Sequence, residues 1–184
     1  GNNMAACHAA KECARRLGYR PLLVSDHITG DTAHCSAFHS VLAYDVVYTH
    51  RPVPPPVCLV SGGETTVRLQ GGGLGGRNME FVLHCVRRLA GCNVPAVVLS
   101  AGTDGTDGPT DAAGALADNA TLARAQALGL DPDEFLSRND SYRFFQPLGD
   151  LVVTGPTGTN VMDIRVVLIG EPVRPATGDP GEIP

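Results

Sequence analysis

Five charged side chains stand in glycine-rich turns where little else is charged, and they are the residues able to do chemistry: Glu64, Arg77 and the aspartates 104, 107 and 111. Glu64 closes Ser61-Gly62-Gly63-Glu64. Arg77 closes Gly71-Gly72-Gly73-Leu74-Gly75-Gly76 and is followed by Asn78. The aspartates punctuate Gly102-Thr103-Asp104-Gly105-Thr106-Asp107-Gly108-Pro109-Thr110-Asp111. Glycine lets backbone N–H groups approach an anion, and a helix beginning just after such a run adds a favourable dipole. Arginine adds a permanently charged planar fork suited to phosphate or carboxylate. A carboxylate beyond a buried strand suits magnesium, which keeps several waters and takes one or two carboxylates plus substrate phosphate. The pattern therefore predicts a site for a phosphate-bearing anion and a metal ion, with Glu64 and Asp104 as metal or substrate contacts. Against this stand a floppy loop with a surface arginine, and plain turn formation for Asp107 and Asp111.

Familiar signatures fail on particular residues. Gly71, Gly73 and Gly76 satisfy G-x-G-x-x-G, but no acidic residue follows at a strand end about 20 positions on. Gly71 and Gly76 have P-loop spacing, yet Arg77-Asn78 stands where lysine and a hydroxyl residue are required. Thr106 and Ala115 occupy places that an EF-hand reserves for ligands. His34 and His39 have zinc-like spacing without a second pair of ligands.

Elements must position these turns. Residues 3–17 read as a helix ended by Gly18, 22–24 as a buried strand, 25–31 as a loop, and 32–44 as a helix capped by Asp31. Four prolines within 51–56 mark a boundary or crossing segment. Beyond it, 57–60 and 65–69 are strand candidates on either side of the Ser61–Glu64 turn, and 78–90 has the apolar spacing of an amphipathic helix. Residues 96–100 are a continuous apolar run of the kind found in buried strands. Residues 119–128 predict a helix, Asp131-Pro132-Asp133-Glu134 starts another to about 138, a short turn of helix covers 141–145, and 161–169 form a closing strand. Residues 171–184, with four prolines, are expected to be disordered.

The 184 residues, 43% hydrophobic and 18% charged, suit a globular protein. Net charge is -5 and the only arginine pairs are Arg15-Arg16 and Arg87-Arg88, which argues against a nucleic-acid partner. No apolar run approaches the roughly 20 residues of a membrane span. Six cysteines without a C-x-x-C pair read as reduced thiols in a cytosol-like compartment. No secretory signal and no natural start are visible at Gly1-Asn2-Asn3-Met4, which suggests part of a longer protein.

With these residues in view, the chain resembles the carboxyl-terminal part of class II glycerate kinases, including the domain known as MOFRL. The carriers are Asn2-Asn3, Gly18-Tyr19, Ser25-Asp26, Ser61 to Thr65, Gly75 to Glu80, Gly102 to Asp111, Asn139-Asp140-Ser141-Tyr142 and Thr154 to Val161. The resemblance implies an α/β fold with a mixed or parallel sheet flanked by helices: residues 1–50 as the remnant of a Rossmann-like kinase domain, 51–56 as linker and 57–170 as the MOFRL domain. It implies ATP- and magnesium-dependent phosphorylation of D-glycerate to 2-phosphoglycerate in a cleft between two domains. Arg77 would hold phosphate or carboxylate, and Glu64 and Asp104 would serve metal or substrate. Ser61, Gly62, Gly63, Gly75, Gly76, Asn78, Thr103, Asp107 and Asn160 would line the cleft. A cytoplasmic or mitochondrial location and a homodimer are compatible with it. The only lysine, Lys11, lies inside the first helix, so the lysine that the family supplies from its amino-terminal half has no counterpart, and the chain alone is expected to be inactive. Alternatives are a non-catalytic binding or assembly module and a kinase for a related hydroxy acid.

Overall fold

The computed structural model describes residues 1–172, so most of the 171–184 stretch expected to be disordered lies outside the described residues. Among the described residues, six strands form one mixed sheet in the order β1-β2-β6-β3-β4-β5. They are β1 (Arg20–Asp31), β2 (Val57–Thr66), β3 (Ala96–Gly102), β4 (Gly114–Asp118), β5 (Leu151–Val152) and β6 (Asp163–Ile169). Only β1 and β2 run parallel; β6 is antiparallel to both β2 and β3, and β4 is antiparallel to β3 and β5. The helices are α1 (Asn3–Arg16), α2 (Thr32–Tyr44), α3 (Arg77–Ala90), α4 (Thr121–Ala127), α5 (Pro132–Ser137) and α6 (Ser141–Phe145). Among the described residues, no helix is long and apolar enough to cross a membrane.

Side-chain alternation divides the sheet between two layers. Val57 and Leu59 of β2, Val98 of β3 and Val167 and Ile169 of β6 enter the main core, where α3 contributes Met79, Phe81, Val82, Leu83 and Val86. Cys58 and Val60 point the other way, against Cys7 and Ala14 of α1, with Val166 and Leu168 beside them. Burying one large aliphatic or aromatic side chain contributes roughly 1.5–3 kcal/mol, so α3, with seven buried apolar residues, is the element that most firmly ties helices to sheet.

Several expectations for the strands need correction. Ser61 to Glu64 is no turn: β2 runs unbroken through it and pairs with both β1 and β6. Glycines ordinarily punctuate a strand, but here they admit close neighbours. A Cβ on Gly62 would lie 1.6 Å from the Asn3 side-chain oxygen, and one on Gly63 would lie 2.2 Å from the Ile28 carbonyl oxygen. The chain leaves the sheet at Thr66, so 65–69 is not a second strand. The expected loop 25–31 is the end of β1, bent by irregular pairing around Ser25 and Ile28. Strands β4 and β5 were not expected. Ala115 and Ala117 have low strand propensity, but their small side chains fit beneath α3 with no exposed surface.

Residues 51–56 cross between a π-helical turn (Asp45–Thr49) and β2, but the sheet continues across that crossing because β1 pairs with β2 along its length. All six cysteines are free, and Cys7, Cys35, Cys58 and Cys85 are buried.

Candidate active site

The candidate residues gather at one edge of the sheet, where β2 and β3 end and β6 begins. Asp163, the first residue of β6, is directly opposite Gly63 of β2 and Gly102 of β3. Its carboxylate is fully buried and accepts a fork from Arg77, with Nε donating to Oδ2 at 2.7 Å and Nη2 to Oδ1 at 2.9 Å. Asn78 Nδ2 donates to Oδ1 at 3.0 Å and Arg165 Nη2 to Oδ2 at 3.2 Å. Arg77 turns its remaining nitrogen, Nη1, toward Glu64 Oε1 at 3.2 Å, where the Glu64 side chain is 53% exposed. The hydrogen bonding that Arg77 donates to Asp163 is the main influence raising the Arg77 pKa, which keeps the guanidinium charged. Arg77 therefore belongs to the interior on one side and to the surface on the other.

Asp104 continues this edge beyond β3. Its Oδ1 accepts from Thr106 N at 3.0 Å and Thr106 Oγ1 at 3.2 Å, and its Oδ2 accepts from Asn160 Nδ2 at 3.3 Å. Thr103 donates its hydroxyl to the Met162 carbonyl at 2.7 Å and accepts from Val161 N at 2.8 Å, fastening the end of β3 to the entry of β6. Glu64, Arg77, Thr103, Asp104 and Asn160 are thus brought to one rim.

The other expected contacts are directed inward. Ser61 Oγ lies 2.7 Å from His39 Nε2, with both side chains buried. Gly62 is covered by Asn3, whose amide donates to the Val161 and Asp163 carbonyls at 2.7 and 2.8 Å. Asn78 is buried, accepts from Ser100 Oγ at 2.5 Å, and cannot line a cleft. Asp107 is also buried. Its carboxylate accepts from Asn78 N at 3.1 Å and Met79 N at 2.8 Å, so these first-turn amides of α3 are engaged by the chain itself rather than free for a substrate phosphate. A carboxylate is a natural occupant of a helix N-terminus.

The glycine run has a corresponding explanation. A Cβ at Gly73 would meet the Asp140 backbone at 2.7 Å, one at Gly75 the Ser141 Oγ at 2.2 Å, and one at Gly76 the Asp107 carboxylate at 2.4 Å. Gly73 N donates to the Arg138 carbonyl at 2.8 Å and Leu74 N to Asp140 Oδ1 at 2.8 Å. Asn139 Oδ1 accepts from Gln70 N and Gly71 N at 2.7 and 3.0 Å. The glycines allow this loop to lie flat on residues 138–141, which fixes the entry to α3 and the place of Arg77.

Asp163, Arg165 and His39 were not singled out as site residues. The available signal for the first two was an acid and a base two apart in an otherwise apolar strand, which puts both on one buried face. His39 was weighed only as a zinc ligand. Its Nδ1 is 2.8 Å from the Cys35 carbonyl, and Nε2 faces Ser61.

Two buried titrating groups oppose each other in their effect on stability. Burial lowers the His39 pKa from 6.5 to about 4. Protonation therefore favours the unfolded chain, and the His39 contribution is lost as pH falls from about 6.5 to about 4. Burial raises the Asp107 pKa from 3.8 to about 6, outweighing its three hydrogen bonds. Its contribution is present below about 3.8 and lost as pH rises through about 6. Each effect amounts to roughly 3 kcal/mol, so they nearly cancel across the shared window. Relative to the unsubstituted chain, Asp107→Asn is expected to make stability rise more steeply from pH 4 to 6, and His39→Gln to make it fall. Urea denaturation across that range checks this; shifts of the same sign in both variants would contradict it.

Residues 57–163 match the MOFRL family model, more than half of the chain, and the protein belongs to the MOFRL family. Over 92% of its length it is 41% identical to the D-glycerate 2-kinase of Thermotoga maritima, of which it covers 40%. It is 37% identical to the glycerate 2-kinase of Pyrococcus horikoshii over 91% of its length, covering 38% of that protein. Human glycerate kinase is 35% identical over 92% of the chain, which covers 40% of it. The crystal structure of the Thermotoga maritima glycerate kinase superposes with a TM-score of 0.88 at 40% identity, over 92% of this chain and 41% of that one. The chain thus spans about two fifths of the length of these relatives.

Proposed function

We propose that this chain forms one wall of the phosphoryl-transfer cleft of a glycerate kinase, which takes D-glycerate and ATP to 2-phosphoglycerate. The observation that carries the reading is Arg77: its guanidinium is locked from behind by buried Asp163 and presented beside Glu64 at the rim of a fold shared with glycerate kinases. Phosphoryl transfer asks mainly for positioning and charge neutralisation, and a permanently charged, fixed guanidinium supplies both. Arg77 would meet the substrate carboxylate or a phosphate oxygen, with Thr103 and Asn160 farther along the same rim.

The carboxylates fit a sparsely held magnesium ion better than a protein cage. Among the described residues there is no group of three histidine, cysteine, aspartate or glutamate side chains able to hold a metal. Glu64, beside Arg77, and Asp104, held by Thr106 and Asn160, would offer one carboxylate each, which suits an ion that keeps waters and takes its other ligands from substrate phosphates. Bound there, magnesium would neutralise charge on the transferred group. Among the described residues Lys11 lies on α1, so the rim carries Arg77 without a lysine beside it. A second wall must supply the remaining positive charge, and the chain alone is expected to turn over little or no substrate.

Titration calorimetry with 2-phosphoglycerate, which bears both a carboxylate and a phosphate, tests the wall itself. Saturable binding to the chain that disappears in Arg77→Ala is expected. Binding that is unchanged by the substitution would remove Arg77 from the site.

A further inference from the structure

We propose that Arg165 is a positioning residue for Arg77, acting through Asp163, an inference that rests on the reading of Arg77 as a substrate contact. Arg165 is the largest fully buried side chain among the described residues. Its Nη2 donates to Thr65 Oγ1 at 3.1 Å and to Asp163 Oδ2 at 3.2 Å, while Nε and Nη1 have no hydrogen-bond partner among the described residues. The guanidinium carbon is 5.4 Å from the centre of the Phe81 ring, which offers a cation a favourable face.

Such a residue is expensive as packing. A buried ion with unmet donors is commonly replaceable by an apolar side chain of similar volume without loss of stability, and each unmet donor calls for an explanation. The reason an arginine stands here lies in the Asp163 carboxylate. Oδ1 accepts from Arg77 Nη2 and Asn78 Nδ2, and Oδ2 accepts from Arg77 Nε and Arg165 Nη2. An ionised carboxylate has about four lone-pair sites, and here four donors fill them. The plane of the carboxylate is therefore fixed, and the bidentate fork transmits that plane to the Arg77 guanidinium. Arg165 supplies the donor on Oδ2 that Arg77 does not, from two residues along the same strand, and Thr65 on neighbouring β2 anchors it. Without Arg165, Asp163 keeps its other partners but can swing, and Arg77 Nη1 loses its defined place beside Glu64.

Arginine Nε–H exchange with solvent reads this positioning directly in the chain, with no need for enzymatic activity. The Arg77 Nε–H signal, assigned by its loss in Arg77→Ala, is expected to be protected in the unsubstituted chain. In Arg165→Met it is expected to exchange at least about tenfold faster while circular dichroism remains that of the folded chain. Thr65→Val, a smaller change that removes the anchor and one bond from Thr32 Oγ1, which keeps the Thr66 carbonyl as an acceptor, should shift exchange in the same direction and keeps the test open if Arg165→Met does not fold. Unchanged exchange in the folded variants would overturn the proposal. Kinetics of the complete gene product give the second arm: Arg165→Met should lower kcat about tenfold with Arg77 present and have no further effect in Arg77→Ala. Independent, multiplying losses would assign Arg165 a structural role only. If the exchange result holds while no glycerate phosphorylation is found, the positioning stands and the reading of the cleft fails.

Discussion

Arg77→Ala is expected to lower kcat/KM for D-glycerate phosphorylation by the complete gene product about 100-fold or more, corresponding to roughly 3 kcal/mol of transition-state stabilisation. Two losses combine. The guanidinium facing the rim disappears, and the buried Asp163 carboxylate behind it loses two of its four donors. Breaking a buried pair by removing one partner typically costs about 3–5 kcal/mol, so the folded chain should also become less stable, toward the lower end because Arg77 is 31% exposed. Arg77→Lys separates the two losses: an ammonium keeps the charge but cannot reproduce the fork. It should recover most of the stability and only part of the rate. A loss of less than about tenfold in Arg77→Ala, under roughly 1.4 kcal/mol, would exclude Arg77 from the catalytic residues.

The largest effect on folding is expected at Asp107. Asp107→Ala leaves the Asn78 and Met79 amides and the Asn78 side-chain amide without their acceptor, in a place where water has little access. Each abandoned buried donor costs about 1–3 kcal/mol, so a total loss of about 3 kcal/mol or more is expected near pH 4, below the range in which burial of the ionised carboxylate offsets these bonds, measured as a lower urea midpoint. The effect should spread through α3, since this carboxylate fixes the start of the helix that carries nine buried residues. Asp107→Asn should rescue little, because an amide nitrogen placed at Oδ2 would face Met79 N, itself a donor. A midpoint shift equivalent to less than about 1 kcal/mol in Asp107→Ala would show that the capping is replaceable.

Helices were the most legible part of the sequence, because their signals are local. Asp31 caps α2 through His34 N, Asp131 caps α5 through Asp133 N, and α3 begins within one residue of its expected start. Strands were less legible where close approach by a distant segment decides the conformation. Gly62 and Gly63 read as turn formers, yet Asn3 and Ile28 pack where their side chains would be, and the strand continues. The same logic separates the two readings of Gly71 to Gly76. An anion cradle and a loop pressed flat on residues 138–141 both demand glycine, and only the fold distinguishes them.

The candidate site was partly legible for a similar reason. Arg77, Glu64 and Asp104 were recognisable as charges isolated among glycines, and they do reach a common rim. Asp107 was separated from Asp104 only by a leaning toward plain turn formation, because a buried cap and an exposed ligand are both aspartates in a turn. Asp163 and Arg165 were hidden inside an apolar strand, where their alternation was the only sign that two charges share the interior.

One assay tests the proposed activity most directly: the complete gene product incubated with D-glycerate and ATP, with and without magnesium, its products separated and identified. Magnesium-dependent formation of ADP and 2-phosphoglycerate in equal amounts is expected, with little or none from the 184-residue chain alone. No phosphoryl transfer to D-glycerate by the complete gene product, folded and supplied with magnesium, would contradict it.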